Sequence, residues 1–142
     1  VLKGAALARD PANRKTIAES IAPANYLNQP VAVLEQVLTG RYADGLGNVK
    51  NDPARVDFDP FPWYSMATWI LSQMKRWGYI KGDVRWKDLT EQVYLLTDAR
   101  KHMAAMGMKP SGESYKKITV MGKVFDPAAA DAYVNSFAIK RA

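Results

Sequence analysis

The most informative segment of this sequence is PFPWYSMATWILSQMKRWG, residues 60–78. Apolar side chains recur in it every three or four residues, which is the spacing of one face of an α-helix. Pro62 suits the first turn of a helix, and Gly78 suits the position just past its end. The segment therefore predicts a helix over residues 62–77. Its apolar face is formed by Trp63, Met66, Ile70, Met74 and Trp77.

Two further apolar side chains, Trp69 and Leu71, widen this face until little of the helix is left for water. We therefore expect it to be the central, largely buried helix of the fold. As an alternative, Trp63, Tyr64 and Trp69 could line a ligand cleft, because clefts favour aromatic side chains with a few polar groups. If these aromatic side chains faced solvent, the exposed patch would mark a partner surface.

Length and composition are those of a globular protein. The 142 residues suffice for one domain that buries about two thirds of its unfolded surface. No apolar run approaches the roughly 18 residues that a membrane span needs, and no signal peptide is visible. The chain lacks an initiator methionine and opens within a helical pattern, so we expect a piece of a longer protein.

Charge and cysteine content narrow the classes of function. The absence of cysteine excludes disulfides, thiolate nucleophiles and cysteine metal sites, and it slightly favours an exported protein. The net charge of +6 fits attraction to nucleic acid, to anionic lipid or to small anions. Because the basic residues are spread along the chain and not clustered, nucleic-acid binding is a minor alternative.

Short helices are predicted on both sides of the central one. Asp10-Pro11 and Asp126-Pro127 each combine a capping side chain with a first-turn proline, and Thr97-Asp98 predicts another cap. After Asp10, the apolar pattern predicts a helix whose polar residues, Arg14 among them, face solvent. Gly40 predicts the end of a helix that starts near Pro30.

The predicted strands are few. Residues 118–125 predict a small hairpin around Met121-Gly122, and residues 137–139 predict a closing strand or an extended tail. Residues 41–60 predict a long loop in which Arg55 to Asp59 alternates like a short strand. The predicted fold class is mainly α with a minor β component.

No catalytic constellation is apparent. His102 is the only histidine and has no cysteine or second histidine to complete a metal site. Ser65 lies outside the Gly-x-Ser-x-Gly turn that exposes a nucleophile. Asp57 and Asp59 would share a face of a strand, but two carboxylates alone more simply shape the loop before Pro60. No dinucleotide or Walker fingerprint occurs. We predict neither an enzyme nor a metal or cofactor site.

Several segments carry a resemblance to a known family. They are YLNQPV (26–31), FDPFP (58–62) and WILSQMKRWGY (69–79), followed by VYLLTDA (93–99), GKVFDP (122–127) and IKR (139–141). Together they resemble the C-terminal part of the nitrate/bicarbonate-type substrate-binding proteins, which are solute receptors of ABC importers for nitrate, nitrite, cyanate and bicarbonate. The resemblance spans nearly the whole chain from about Asp10.

This resemblance implies a two-lobed α/β receptor of the periplasmic-binding-protein type that closes on a small oxyanion. Residues 1–142 would be a single segment, the C-terminal third of that fold, and incomplete without the other lobe. The residues that hold the anion in the family come mostly from earlier in the chain, so none is carried over. Within this segment, Tyr64, Ser65 and Trp69 are weak ligand-binding candidates.

The implied function is that of a solute-binding component of an ABC importer for nitrate or a related oxyanion, with this chain mainly structural. The implied partners are the anion, the membrane permease, and the missing N-terminal lobe or a second copy of the chain. The implied location is periplasmic or membrane-anchored outside the cytoplasm. A cytoplasmic anion-sensing or regulatory domain of the same family is an alternative, and a basic nucleic-acid-binding module is a second.

Overall fold

The computed structural model describes residues 1–120 and 122–140. The chain divides into two compact units, an N-terminal unit of Val1–Pro60 and a C-terminal unit that begins at Phe61. With 49% of the described residues in helices and few strands, the predicted fold class is confirmed. No helix in the described ranges has the length and apolar character needed to cross a membrane.

The N-terminal unit is built on a pair of packed helices. Ala18, Leu34 and Leu38 form its buried core, with Ile17, Ile21 and Phe58 among the half-buried side chains around them. The Asp10 side chain caps the turn before α2 (Arg14–Ile21), accepting a hydrogen bond from the Ala12 amide at 2.9 Å, as predicted. The elements are α1 (Leu2–Arg9), a 3-10 turn (Pro11–Asn13), α2 (Arg14–Ile21), α3 (Val31–Thr39), β1 (Arg41–Ala43) and β2 (Val49–Asn51).

Arg14 is buried, so its predicted exposure is wrong. Its Nη1 donates to the Leu38 carbonyl at 2.5 Å, and the guanidinium also reaches the Val56 carbonyl at 3.4 Å. Leu38 lies in the last turn of α3, where the helix dipole favours a positive charge. The arginine side chain thus donates hydrogen bonds to backbone carbonyl groups that the apolar core side chains, which have no donors, would leave without a partner.

The strands of the N-terminal unit do not lie where the sequence pattern placed them. β1 and β2 pair antiparallel within the predicted loop, with Tyr42 opposite Lys50. The Asp44 carboxylate organises their turn by accepting from the Leu46 and Asn48 amides at 2.8 and 3.1 Å, which lowers its pKa. The predicted strand over residues 55–59 does not form, because no neighbouring strand pairs with it.

The described part of the C-terminal unit places helices against a second hairpin. Phe125, Ala130 and Tyr133 are buried at its centre, with Trp69, Trp86 and Phe137 packed around them. β3 (Ile118–Val120) and β4 (Lys123–Phe125) pair antiparallel, as predicted for residues 118–125, although Met121 lies outside the described residues. The elements are α4 (Tyr64–Arg76), α5 (Trp86–Val93), α6 (Leu96–Ala105), β3 (Ile118–Val120), β4 (Lys123–Phe125), a 3-10 turn (Pro127–Ala129) and α7 (Ala130–Asn135).

The central helix forms where it was predicted, but most of its predicted apolar face is open. Gly78 ends α4 with φ +77°, and the Tyr79 amide returns to the Met74 carbonyl at 2.9 Å. The fully buried positions carry small side chains, and four large apolar ones are 39% to 48% exposed, whereas Trp63, Trp69 and Leu71 are half-buried. We call the exposed set the α4 apolar face. It consists of Met66, Ile70, Met74 and Trp77.

Small polar residues are buried because their hydroxyl groups find partners. The Ser65 hydroxyl accepts from the Lys116 amide at 2.6 Å. The Thr68 hydroxyl donates to the Tyr64 carbonyl at 2.9 Å and lies 3.2 Å from that of Thr90. Small side chains let α5 and the segment before β3 approach α4 closely, which leaves its large side chains on the opposite face.

Two other local predictions differ from the structure. Thr97-Asp98 is not a cap, because α6 begins at Leu96 and has no side-chain cap. Of the two alternatives for residues 137–139, the strand does not form, and the described residues there run as a bend after α7. Arg141, the last residue of the IKR segment, lies outside the described residues.

Asp126 caps the turn before α7 and makes an ion pair. Its carboxylate accepts from Lys117 Nζ at 2.8 Å and from the Ala128 amide at 3.0 Å. These two contacts, the lysine first, hold the pKa of Asp126 below its usual value. The associated stability is therefore present above the ordinary carboxyl pKa and is lost as pH falls through the folded-state value.

We expect Asp126→Asn to reduce the acid sensitivity of the C-terminal unit, because the amide keeps a capping oxygen but cannot titrate. The measurement is the urea midpoint at about pH 6 and about pH 3, followed by tryptophan fluorescence. The midpoint of the native chain should fall further between these pH values than that of the variant. An equal fall in both would contradict this role for Asp126.

Candidate functional site

A cavity of about 500 Å³ opens within the C-terminal unit, between α4, the β3–β4 hairpin and the end of α7. This volume lies within the range of small-molecule sites. Its lining combines aromatic rings with polar and cationic groups. The lining residues that matter chemically are Trp69, Gln73, Arg76, Lys123, Tyr133 and Phe137.

The aromatic wall is held by contacts among its own members. Tyr133 packs edge-to-face on Phe125 and on Phe137, with ring centroids 4.9 and 5.1 Å apart. The Trp69 indole Nε1 donates to the Tyr133 hydroxyl oxygen at 3.3 Å. Because a phenol is both donor and acceptor, the Tyr133 hydroxyl can accept from Trp69 and also donate its hydrogen to a ligand.

Two cationic side chains, Arg76 and Lys123, lie over the aromatic ring of Phe137. The Arg76 guanidinium carbon lies 3.7 Å from the Phe137 centroid, and Lys123 Nζ lies 4.1 Å from it. Arg76 is held by the Ile139 carbonyl at 3.0 Å and by Gln73 Oε1 at 3.4 Å. Lys123 donates to the carbonyl and the hydroxyl oxygen of Ser136 at 3.1 and 2.9 Å. Within residues 1–120 and 122–140, neither cation forms an ion pair with a carboxylate.

The three predicted ligand candidates are not brought together. Only Trp69 lines this cavity. Ser65 is fully buried against Lys116, and Tyr64 packs against the Tyr115 ring at 5.3 Å. Sequence reasoning did not single out Lys123, Tyr133 or Phe137. They lie more than forty residues beyond α4, and no local pattern joins them to it.

A second, apolar groove of about 240 Å³ runs between α4 and α5. Ile70 and Met74 line it from α4, and Leu89 and Val93 line it from α5. The groove continues the α4 apolar face, and the Val93 side chain in its wall is exposed to solvent. This groove has the apolar character of a packing surface.

In the part of the chain that the structure describes, no cluster of metal-ligating side chains is found outside these two pockets. His102 is exposed on α6, and the described residues contain no group of three or more His, Asp or Glu side chains placed to hold a metal ion. Asp57 makes an exposed ion pair with Arg9 at 3.4 Å. Burial, and then the neighbouring Glu91 carboxylate, raise the pKa of Tyr115 to about 12, so this phenol stays protonated.

Comparisons with known proteins point to one group of relatives, although no protein-family profile matches the chain. Over 92% of its length the chain is 30% identical to the nitrate/nitrite binding protein NrtA of Synechococcus elongatus. It is 29% identical over 99% of its length to the nitrate import ATP-binding protein NrtC of that organism. To the bicarbonate-binding protein CmpA, also from Synechococcus elongatus, it is 25% identical over 92% of its length.

The fold likeness is equally extensive. The crystal structure of the periplasmic nitrate-binding protein NrtA from Synechocystis PCC 6803 matches 94% of this chain with a TM-score of 0.85 at 19% identity. The chain covers 38% of that structure. It spans about a third of the length of NrtA and CmpA (32% and 33%), and 22% of NrtC.

The fold is thus that of one part of a periplasmic binding protein. Within that class, the chain is similar to the nitrate/bicarbonate-type substrate-binding proteins, and the resemblance to their C-terminal part predicted from the sequence is confirmed.

Proposed function

We propose that this chain is a structural part of a solute-binding component that supplies nitrate, or a related small oxyanion such as nitrite, cyanate or bicarbonate, to an ABC importer. The observation that carries the proposal is the likeness to NrtA over 92% of the chain, together with the shared fold. Among these anions we favour nitrate, because the names of NrtA and NrtC include it. These relatives are named for binding and import, which supports a role other than catalysis of a chemical reaction on the solute.

The α4 apolar face supports the further proposal that residues 1–142 form one segment of a larger two-lobed receptor. Its four large side chains are roughly half exposed, and an adjoining groove is almost wholly apolar. Burying apolar area yields about 25 cal/mol per Å², so such a face gains by being covered. The proposed cover is the rest of the receptor, and a second copy of the chain is the alternative.

The proposed partners and location follow from the same relatives. The anion would be held mainly by residues outside this chain, and the complete receptor would deliver it to the membrane permease. A periplasmic or membrane-anchored extracytoplasmic location is supported by the word periplasmic in the name of the solved NrtA. The nucleic-acid alternative receives no support from the comparisons.

The test joins this chain to the part of NrtA that the chain does not cover. A chimera carries the N-terminal two thirds of Synechococcus elongatus NrtA followed by residues 1–142, and isothermal titration measures its binding of nitrate, nitrite and bicarbonate. We expect the chimera to bind nitrate, and the N-terminal part alone and this chain alone to give no binding heat. Binding of nitrate by this chain alone would contradict a mainly structural role and return attention to Tyr64, Ser65 and Trp69.

A matched pair of variants tests the covering of the α4 apolar face in the same chimera. Ile70→Asp introduces a charge on that face, and Val124→Asp introduces one at an exposed position of β4. Burying an unpaired charge is costly, so Ile70→Asp should abolish nitrate binding by the chimera but leave the isolated chain folded. Equal binding by both variants would contradict the proposed cover. If the chimera itself fails to fold, analytical ultracentrifugation of the isolated chain gives the second test. With its α4 apolar face uncovered, the isolated chain should self-associate, and Ile70→Asp but not Val124→Asp should reduce this association.

The NrtC match favours a second candidate function, an anion-sensing or regulatory domain on the cytoplasmic side of an importer. The chain aligns with NrtC over 99% of its length, slightly more than with NrtA. The two candidates differ in location, because a receptor is exported and a domain attached to an importer ATPase is not. Immunodetection of the native protein in periplasmic and cytoplasmic fractions of its source cells distinguishes them.

A further inference from the structure

We propose that the cavity between α4, the β3–β4 hairpin and α7 binds a small, flat organic carboxylate. This site would belong to the C-terminal unit itself and would be separate from the inorganic anion of the proposed receptor. The argument rests on the charge, the hydrogen-bond donors and the shape of the cavity.

The charge of the cavity is unbalanced. Arg76 and Lys123 both lie over the Phe137 ring, so their charged groups are no more than about 8 Å apart. Within the described ranges, no carboxylate forms an ion pair with either cation. Two like charges at this separation repel each other in a partly buried site. An anion in the cavity that contacts both cations would offset that repulsion with two attractive contacts.

The donors that face the cavity suit a carboxylate group. The Arg76 guanidinium has five N–H donors, and among the described residues the Ile139 carbonyl and Gln73 Oε1 occupy two of them. Lys123 and the Tyr133 hydroxyl supply further donors from β4 and α7. Because these side chains are already fixed by their own contacts, a carboxylate would find them arranged before it binds.

The shape of the cavity selects an organic anion over an inorganic one. A four-atom oxyanion is about the size of two water molecules, roughly 60 Å³, so it could contact the cations but would reach little of the aromatic wall of this cavity of about 500 Å³. The remaining walls are the faces and edges of Trp69, Tyr133 and Phe137, which favour a flat apolar body. A carboxylate attached to a planar ring uses both parts of the lining.

The test is an NMR titration of the complete 142-residue chain with benzoate, with its neutral analogue benzamide, and with nitrate. The readout is the indole N–H signal of Trp69, assigned with the Trp69→Phe variant, because this group lies in the cavity wall. We expect benzoate to shift this signal saturably, with Kd roughly millimolar, as suits a ligand of this size. Benzamide and nitrate should each bind at least about tenfold more weakly.

Matched lysine variants separate a built site from general attraction by a basic protein. Lys123→Gln should weaken benzoate binding at least about fivefold, and Arg76→Gln should do the same. Lys101→Gln removes the same charge from an exposed position on α6 and should leave the affinity unchanged. Heteronuclear spectra of each variant establish that it is folded, and Lys123→Gln, on the hairpin, is decisive if Arg76→Gln perturbs α4.

Three results would overturn the proposal: no saturable shift with benzoate, equal binding of benzamide, or an equal loss of affinity in Lys101→Gln. The results with benzoate and benzamide do not bear on the receptor proposal, which is tested by nitrate binding to the chimera. Strong nitrate binding by the isolated chain, reduced by Lys123→Gln, would instead assign the cavity to inorganic anions and would contradict both proposals.

Discussion

Replacing Phe125 by alanine should destabilise the C-terminal unit by about 4 kcal/mol, the typical cost of deleting a buried phenylalanine ring. The Phe125 side chain is fully buried, and its ring packs edge-to-face on Tyr133 at 4.9 Å. It also lies in one cluster with Trp69 and Trp86, so a cavity at this place removes contacts to several elements at once. Urea unfolding followed by tryptophan fluorescence measures the effect, because all four tryptophans lie in this unit.

The neighbouring residue supplies the control. Val124 lies on the same strand, but its side chain is 60% exposed. Because successive side chains of a strand point to opposite faces, Val124→Ala should change the free energy of unfolding by no more than about 0.5 kcal/mol. Similar losses in the two variants would show that the ring of Phe125 is not the centre of this core.

Gly40→Ala should destabilise the N-terminal unit by about 3 kcal/mol, for two physical reasons. Gly40 ends α3 with φ +73°, a conformation that residues with a Cβ adopt at a cost. A Cβ at this position would also collide with the backbone carbonyl of Asp52, whose amide donates to the Gly40 carbonyl at 2.8 Å. The backbone would have to shift to make room.

Gly45→Ala separates the two reasons. Gly45 has a similar φ of +78°, but a Cβ there would meet open space. This control should therefore cost only about 1 kcal/mol. The N-terminal unit has no tryptophan, so amide hydrogen exchange at Ala18 and Leu34 is the measurement. Exchange should accelerate about a hundredfold in Gly40→Ala and about fivefold in Gly45→Ala. Equal acceleration in the two variants would contradict the proposed collision.

The elements that the sequence predicted correctly depend on neighbours along the chain. The helix over residues 62–77, the hairpin over 118–125 and the Asp-Pro caps at Asp10 and Asp126 all form. Each is determined by side chains within one or two turns, and such local interactions leave a periodic or capping pattern that can be read directly. The strand predicted over residues 55–59 failed because a strand also needs a partner, which alternation alone does not supply.

The resemblance to the family was also apparent from the sequence, because short runs such as FDPFP and QMKRWG combine residue types that composition alone would not produce. The candidate site was not apparent. Trp69 was singled out, but its hydrogen-bond partner Tyr133 lies 64 residues further along the chain. Only the packing of α7 and the β3–β4 hairpin onto α4 brings Arg76 and Lys123 to the same ring.

By itself, the sequence determined where the helices and the C-terminal hairpin lie and to which family the chain is related. Only the tertiary structure decided which face of α4 is buried. Periodicity shows that Met66, Ile70, Met74 and Trp77 share one face, but it does not show what covers that face. In this chain the small residues on the opposite face let neighbouring segments approach α4 closely, and their hydroxyl groups form hydrogen bonds there. The neighbouring segments therefore pack on the face with the small residues, and the face with the large apolar side chains stays open.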